Sequence, residues 1–113
     1  MKKIEIIIPD RALPELNRVF RDANIGGMSH YRVEGRGRGK AKPVSFGRGT
    51  SQYVPEFIPR TKVEAIVADS QLEDILAKIL DKIGGPQYGG KIFVSDMSIA
   101  IDLITKERGE GAI

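Results

Sequence analysis

The chain has no cysteine, so neither a disulfide framework nor a thiolate metal site is available to it. Tryptophan is also absent, aromatics make up only 6% of the residues, and His30 is the single histidine. The core must therefore be aliphatic, with isoleucine recurring in every periodic segment, and a single histidine argues against a dedicated histidine metal site. A Cys or Ser nucleophile backed by a histidine base is not recognisable, and no carboxylate pair stands at a distinctive spacing. No apolar run approaches the ~20 residues needed to cross a bilayer. Met1-Lys2-Lys3-Ile4 leads straight into a strand-like pattern, without the apolar block of a signal peptide. These features predict a cytoplasmic, non-enzymatic protein without a resident metal.

What is present fits one domain spanning 1–113, with 41% hydrophobic residues and a formal net charge of +3. Residues Lys2 to Ile8 alternate with a period of two and predict a strand with one buried face, ended by Pro9 and Asp10. Leu13, Leu16, Val19, Phe20 and Ala23 recur at helical spacing, with Pro14 tolerated in the first turn and Asn24-Ile25-Gly26-Gly27 as the stop. Met28 to Glu34 predicts a second strand, Lys62 to Val67 a third, and Lys91 to Met97 a fourth. Leu72, Ile75, Leu76, Ile79, Leu80 and Ile83 form the clearest helical stripe, for which Asp69 or Ser70 is a candidate cap. Between the second and third strands periodicity fails for about two dozen residues, a length that points to a functional or disordered segment.

The order β-α-β, long loop, β-α-β predicts an α+β, ferredoxin-like βαββαβ sandwich, with a four-stranded antiparallel sheet and both helices on one face. Ile7, Tyr31, Ile66 and Phe93 should then lie on the uncovered face, and an uncovered apolar face predicts self-association.

Three segments suggest anion chemistry. Gly35-Arg36-Gly37-Arg38-Gly39-Lys40 combines glycines, which let a backbone approach a ligand, with cations for phosphate or carboxylate. It lacks the Gly-Lys-Ser/Thr ending of a Walker loop, and no helix follows to complete a dinucleotide fingerprint. A solvated basic loop, or an RNA-binding module built on the Arg-Gly pairs, is also compatible with it. Tyr88-Gly89-Gly90-Lys91 can hold an anion through backbone N–H groups and one point charge, or be an ordinary turn. Thr105-Lys106-Glu107-Arg108-Gly109, in the tail 99–113, can carry Arg108 into a neighbouring site or remain a polar end. An acylphosphatase-like enzyme shares the topology, but the residues for that chemistry are missing.

Five ordered segments resemble the PII nitrogen-regulatory proteins. These are Met1 to Ile8; Ile25-Gly26-Gly27-Met28 with Val33 to Arg38; Arg48-Gly49 with Tyr53 to Glu64; Gly90 to Ser95; and Glu107 to Ile113. The resemblance implies a homotrimer that binds ATP or ADP, and 2-oxoglutarate with Mg2+ and ATP, in clefts between subunits. It implies docking of the long loop, 37–56, on an ammonium transporter, glutamine synthetase or a transcription regulator. By position, Ser29, Gly35, Gly37, Arg38, Gly89, Gly90, Lys91 and Arg108 correspond to nucleotide-binding residues. Gly37, Arg38, Gly39 and Arg60 correspond to the 2-oxoglutarate site, and Tyr53 to a tyrosine that some members modify.

The chain departs from the family pattern at several of these positions. Gly39 replaces a glutamine, Pro9 a basic residue, Ile104 the first of two tail arginines, and Tyr88-Gly89-Gly90-Lys91 a Gly-Asp-Gly-Lys sequence. Arg60 stands where a lysine usually meets 2-oxoglutarate. Each lost charge-assisted contact costs ~1.5–3 kcal/mol. A PII-like paralogue sensing bicarbonate or AMP is therefore the alternative effector reading.

Overall fold

The computed structural model describes residues 1–38, 44–46 and 51–113, with backbone alone for 44–46 and 51–53. Strand β1 (Lys2–Ile8) leads through a 3-10 turn into helix α1 (Leu13–Asp22), followed by β2 (Ser29–Gly35). Short strands β3 (Val44–Phe46) and β4 (Ser51–Tyr53) pair with each other, and β5 (Ile58–Val67), α2 (Leu72–Ile83) and β6 (Lys91–Asp96) complete the domain. The main sheet has the order β2-β5-β1-β6 with every pair antiparallel, which is the ferredoxin-like arrangement expected from the element order. Among the described residues no helix is long and apolar enough to cross a membrane.

The period-two pattern explains which face is buried. Ile4, Ile6 and Ile8 of β1 and Val63, Ala65 and Val67 of β5 line one side of the sheet and are almost fully enclosed. Leu16, Val19 and Phe20 of α1 and Ile75, Ile79 and Ile83 of α2 cover them, so both helices occupy that face. Fully burying each such side chain is worth about 1.5–3 kcal/mol, which makes this layer the main source of stability. Leu80 lies on the sequence stripe of α2 yet is 61% exposed, because the enclosed face is narrower than the apolar one.

Three local expectations are revised. Strand β5 begins at Ile58 and runs through Pro59, four residues earlier than its apolar pattern indicates. Strand β1 ends opposite Thr61, so Pro59 forfeits no ladder bond on that side. The segment between β2 and β5, read as aperiodic, contains the β3–β4 ladder; three residues per strand are too few to display a period. Neither Asp69 nor Ser70 caps α2. A 3-10 turn over Asp69–Gln71 precedes the helix, and the Ala68 N–H donates to the Gln71 side-chain carbonyl at 2.9 Å. Asp69 instead meets the Met1 amino group at 3.0 Å, which holds its carboxyl below the usual aspartate range.

Candidate anion-binding cleft

The strand β1 to α1 junction builds one wall of the site. Pro9 is buried, where a basic side chain could not have been left unpaired. Asp10 follows it and ties the neighbouring strands together: its carboxylate accepts the Thr61 hydroxyl at 2.6 Å and Arg32 at 3.1 Å. Arg11 donates to the Gln87 carbonyl at 2.6 Å and lies 5.5 Å from the centre of the Tyr88 ring. These contacts pin the turn that precedes β6. Within it Gly89 (φ 76°) and Gly90 (φ 118°) adopt backbone conformations that side chains disfavour. A Cβ at Gly90 would also collide with the Ile7 carbonyl oxygen. Glycine at 90 is thus required twice over, and it delivers Lys91 to the edge of β1.

An open cleft of about 480 Å³ results, lined by Ile7, Gly35, Arg36, Gly37, Ile58, Arg60, Gly90, Lys91 and Phe93. It joins the end of β2, the start of β5 and the start of β6, which are far apart in sequence. Of the positions singled out from sequence, Gly35, Gly37, Arg60, Gly90 and Lys91 converge here. Arg60 donates to the Pro59 carbonyl at 2.9 Å, and Lys91 has no ion-pair partner among the described residues. Cationic side chains beside glycine backbone and an apolar floor of Ile7, Ile58 and Phe93 suit a small anion that also carries apolar surface.

The remaining candidates fall elsewhere. Ser29 lines a separate cavity of about 500 Å³ with Gly26, Gly27, Met28, Glu64 and Ile113, on the other side of β5 from the glycine turn. Gly89 belongs to the turn but not to the cleft wall. Arg38 is exposed beyond the cleft lining. Arg108 is exposed on a tail hairpin closed by a bridge to Ile101 and lines none of these cavities. Gly39 lies outside the described residues. The Tyr53 backbone belongs to β4, while its side chain lies outside the description.

At the turn of the tail hairpin, the Asp102 carboxylate accepts the backbone N–H groups of Ile104 at 2.8 Å and Thr105 at 2.9 Å. The Thr105 and then the Ile104 donor hold its carboxyl below the ordinary aspartate value. Leu103 and Ile104 project at 92% exposure, so the turn presents apolar side chains and no cation at these positions.

The uncovered sheet face differs from the purely apolar surface expected. Ile7, Tyr31, Ile66 and Phe93 do lie there, but a charged network crosses its centre. Glu5 meets Lys62 at 3.1 Å and Lys3 at 3.2 Å, and Lys3 also meets Glu64 at 3.7 Å. The Tyr31 hydroxyl donates to Glu64 at 2.8 Å, and the Lys62 ammonium sits 6.0 Å from the Tyr31 ring centre. Lys62 first, then Lys3, lowers the Glu5 pKa, and Glu5 raises both lysines in return.

Comparison with known proteins identifies the family. The sequence matches the family model "Nitrogen regulatory protein P-II" over residues 1–107. Proteins of that name from Cereibacter sphaeroides (38% identical), Rhodobacter capsulatus (36%) and Nostoc punctiforme (36%) align over the full length of both chains. The chain belongs to the P-II family. P-II proteins are named as regulators of nitrogen metabolism rather than as enzymes, and regulation of nitrogen metabolism through protein partners is the role this membership carries.

Within this P-II chain, sequence reasoning missed Arg36, Ile7, Ile58 and Phe93 as cleft residues. The alternation of β1 placed Ile7 on the correct face, but only the register between β1 and β6 brings Ile7 opposite Lys91. Arg36 was visible as part of the basic stretch, without any signal separating it from Arg38.

Proposed function

We propose that the protein is a P-II regulator whose cleft takes an anionic effector and whose segment 37–56 engages a partner in response. The observation that carries this reading is the convergence of Gly35, Gly37, Arg60, Gly90 and Lys91, drawn from three separated segments, on one cationic cleft. Adenine nucleotide, ATP or ADP, is the first effector proposed. 2-oxoglutarate with Mg2+ and ATP is the second, with Arg60 as its carboxylate partner and Gly39 assigned to the same site from sequence alone. Ser29 and Arg108, which stand apart from the cleft within one chain, join it in this reading when three copies meet through their uncovered sheet faces. The trimer works in the cytoplasm, and its partner is an ammonium transporter, glutamine synthetase or a regulator. An effector shifts the partner-binding segment only by its differential affinity for two shapes.

Calorimetry of the purified protein with ATP, ADP, AMP and 2-oxoglutarate, singly and in pairs, tests this. Adenine nucleotide binding, with 2-oxoglutarate bound more tightly in the presence of Mg2+ and ATP, is the expected result. Absence of binding by every compound overturns the effector assignment. The tail turn favours one alternative: Asp102 spends its charge on its own backbone, and Leu103 and Ile104 bring no cation. A paralogue tuned to a less charged effector, AMP or bicarbonate, follows from that observation. It predicts binding of one of these without any response to 2-oxoglutarate.

A further inference from the structure

Residues 36 and 56 mark the two places where the segment between β2 and β5 leaves and rejoins the main sheet. Their side chains form an ion pair, with Arg36 donating to Glu56 Oε1 at 2.7 Å. Both are about two-thirds exposed, at 65% and 64%, so water and salt compete with the contact and hold its worth low. Arg36 also lines the cleft, whereas Glu56 does not. The three cations of the wall are therefore not equivalent. Lys91 has no ion-pair partner among the described residues, Arg60 is hydrogen-bonded to a neutral carbonyl, and Arg36 alone is engaged by a carboxylate.

We propose that Glu56 is a built-in competitor for the effector: it occupies the Arg36 guanidinium at the cleft wall, and a bound anion takes the arginine from it. This rests on the reading of the cleft as an anion site. The guanidinium has five N–H donors in a fixed fork, so one group can serve either acceptor in a charge-assisted pair, but not both in full bidentate geometry. A phosphate or carboxylate in the cleft supplies the same chemistry as the Glu56 side chain. Exchanging one acceptor for the other costs Arg36 little, and Glu56 is released in the exchange. Because the pair joins residues 20 positions apart across the base of the partner-binding segment, occupancy of the cleft and closure of that base exclude one another. Arg36 is thereby a ligand-binding residue, and Glu56 sets the affinity of the site without touching the ligand.

The test is calorimetry at constant ionic strength with ADP, and with 2-oxoglutarate in the presence of Mg2+ and ATP, on the full chain and three variants. Glu56→Gln removes the competitor and keeps the shape; it raises anion affinity about two- to fivefold, the range an exposed ion pair spans. Arg36→Gln lowers affinity about three- to tenfold. The exchanged variant Arg36→Glu with Glu56→Arg keeps an ion pair at the segment base but moves the cation off the cleft wall; it lowers affinity at least as far as Arg36→Gln. Both positions altered are exposed in the starting structure, and circular dichroism checks that each variant is folded. In the unaltered chain the Arg36 Nε resonance shifts on titration with either ligand. If the unaltered chain binds an anion and Glu56→Gln binds it equally or more weakly, the competition is overturned while the anion site stands. If the unaltered chain binds neither probe, both ideas fall together.

Discussion

At the scale of single residues, Gly90 is the position with least latitude. Its φ of 118° and the closeness of the Ile7 carbonyl leave no room for a side chain. Gly90→Ala should lose about 1–3 kcal/mol of stability through backbone strain, before any cost of displacing β1. A thermal or urea denaturation series checks this, and an unchanged midpoint would refute the tight approach described. Lys91→Ala should leave stability nearly unchanged, since its side chain is exposed, but weaken anion binding about tenfold or more. Comparison of the two variants separates the turn's architectural role from its charge. Thr61 is the one buried polar residue among those described, and its hydroxyl is satisfied by Asp10. Thr61→Val leaves an Asp10 oxygen without that donor and should cost about 1–3 kcal/mol.

At the scale of elements, legibility in the sequence tracked repetition. Strand β1 and helix α2 each carry several turns of one pattern, and both were readable to within a residue or two. The start of β5 was not, because Pro59 reads as an interruption although it lies beyond the stretch of β5 that pairs with β1. The β3–β4 ladder is shorter than its own period. The Asp102 turn was also invisible: nothing about an aspartate in Ile101-Asp102-Leu103-Ile104 announces that it will accept two backbone N–H groups. That turn has a pH signature. Its carboxyl titrates below the usual aspartate value, so its contribution is fully present above the unfolded value and is lost as pH falls through the folded one. The amide resonances of Ile104 and Thr105 should therefore move with an acid midpoint below about 3.9, the value of a free aspartate. A midpoint at or above that value would mean the two bonds do not form in solution.

At the scale of the whole molecule, the uncovered sheet face is the surface on which the proposed trimer depends. The sequence showed that Ile7, Tyr31, Ile66 and Phe93 share that face, since alternation decides sides. It did not show the Lys3–Glu5–Lys62–Glu64 network, because cross-strand neighbours depend on register, which no local pattern encodes. Three copies joined through this face would give a particle of three times 12.4 kDa by sedimentation or light scattering. Glu5→Gln leaves Lys3 and Lys62 without their shared carboxylate, and should shift that equilibrium toward single chains. A mass of one chain at all concentrations, in the unaltered protein, would remove the proposed joining of Ser29 and Arg108 to the cleft.

Because the chain has no indole, its intrinsic ultraviolet emission comes from three tyrosines alone, and two of them stand at the surfaces at issue. Tyr31 shares its hydroxyl with a carboxylate on the uncovered sheet, and Tyr88 is stacked under a guanidinium beside the glycine turn. The molecule thus carries two native optical reporters, one facing the place where copies would meet and one beside the candidate anion cleft. Substituting either ring by phenylalanine would let assembly and ligand capture be followed separately in a single cuvette, without any attached dye.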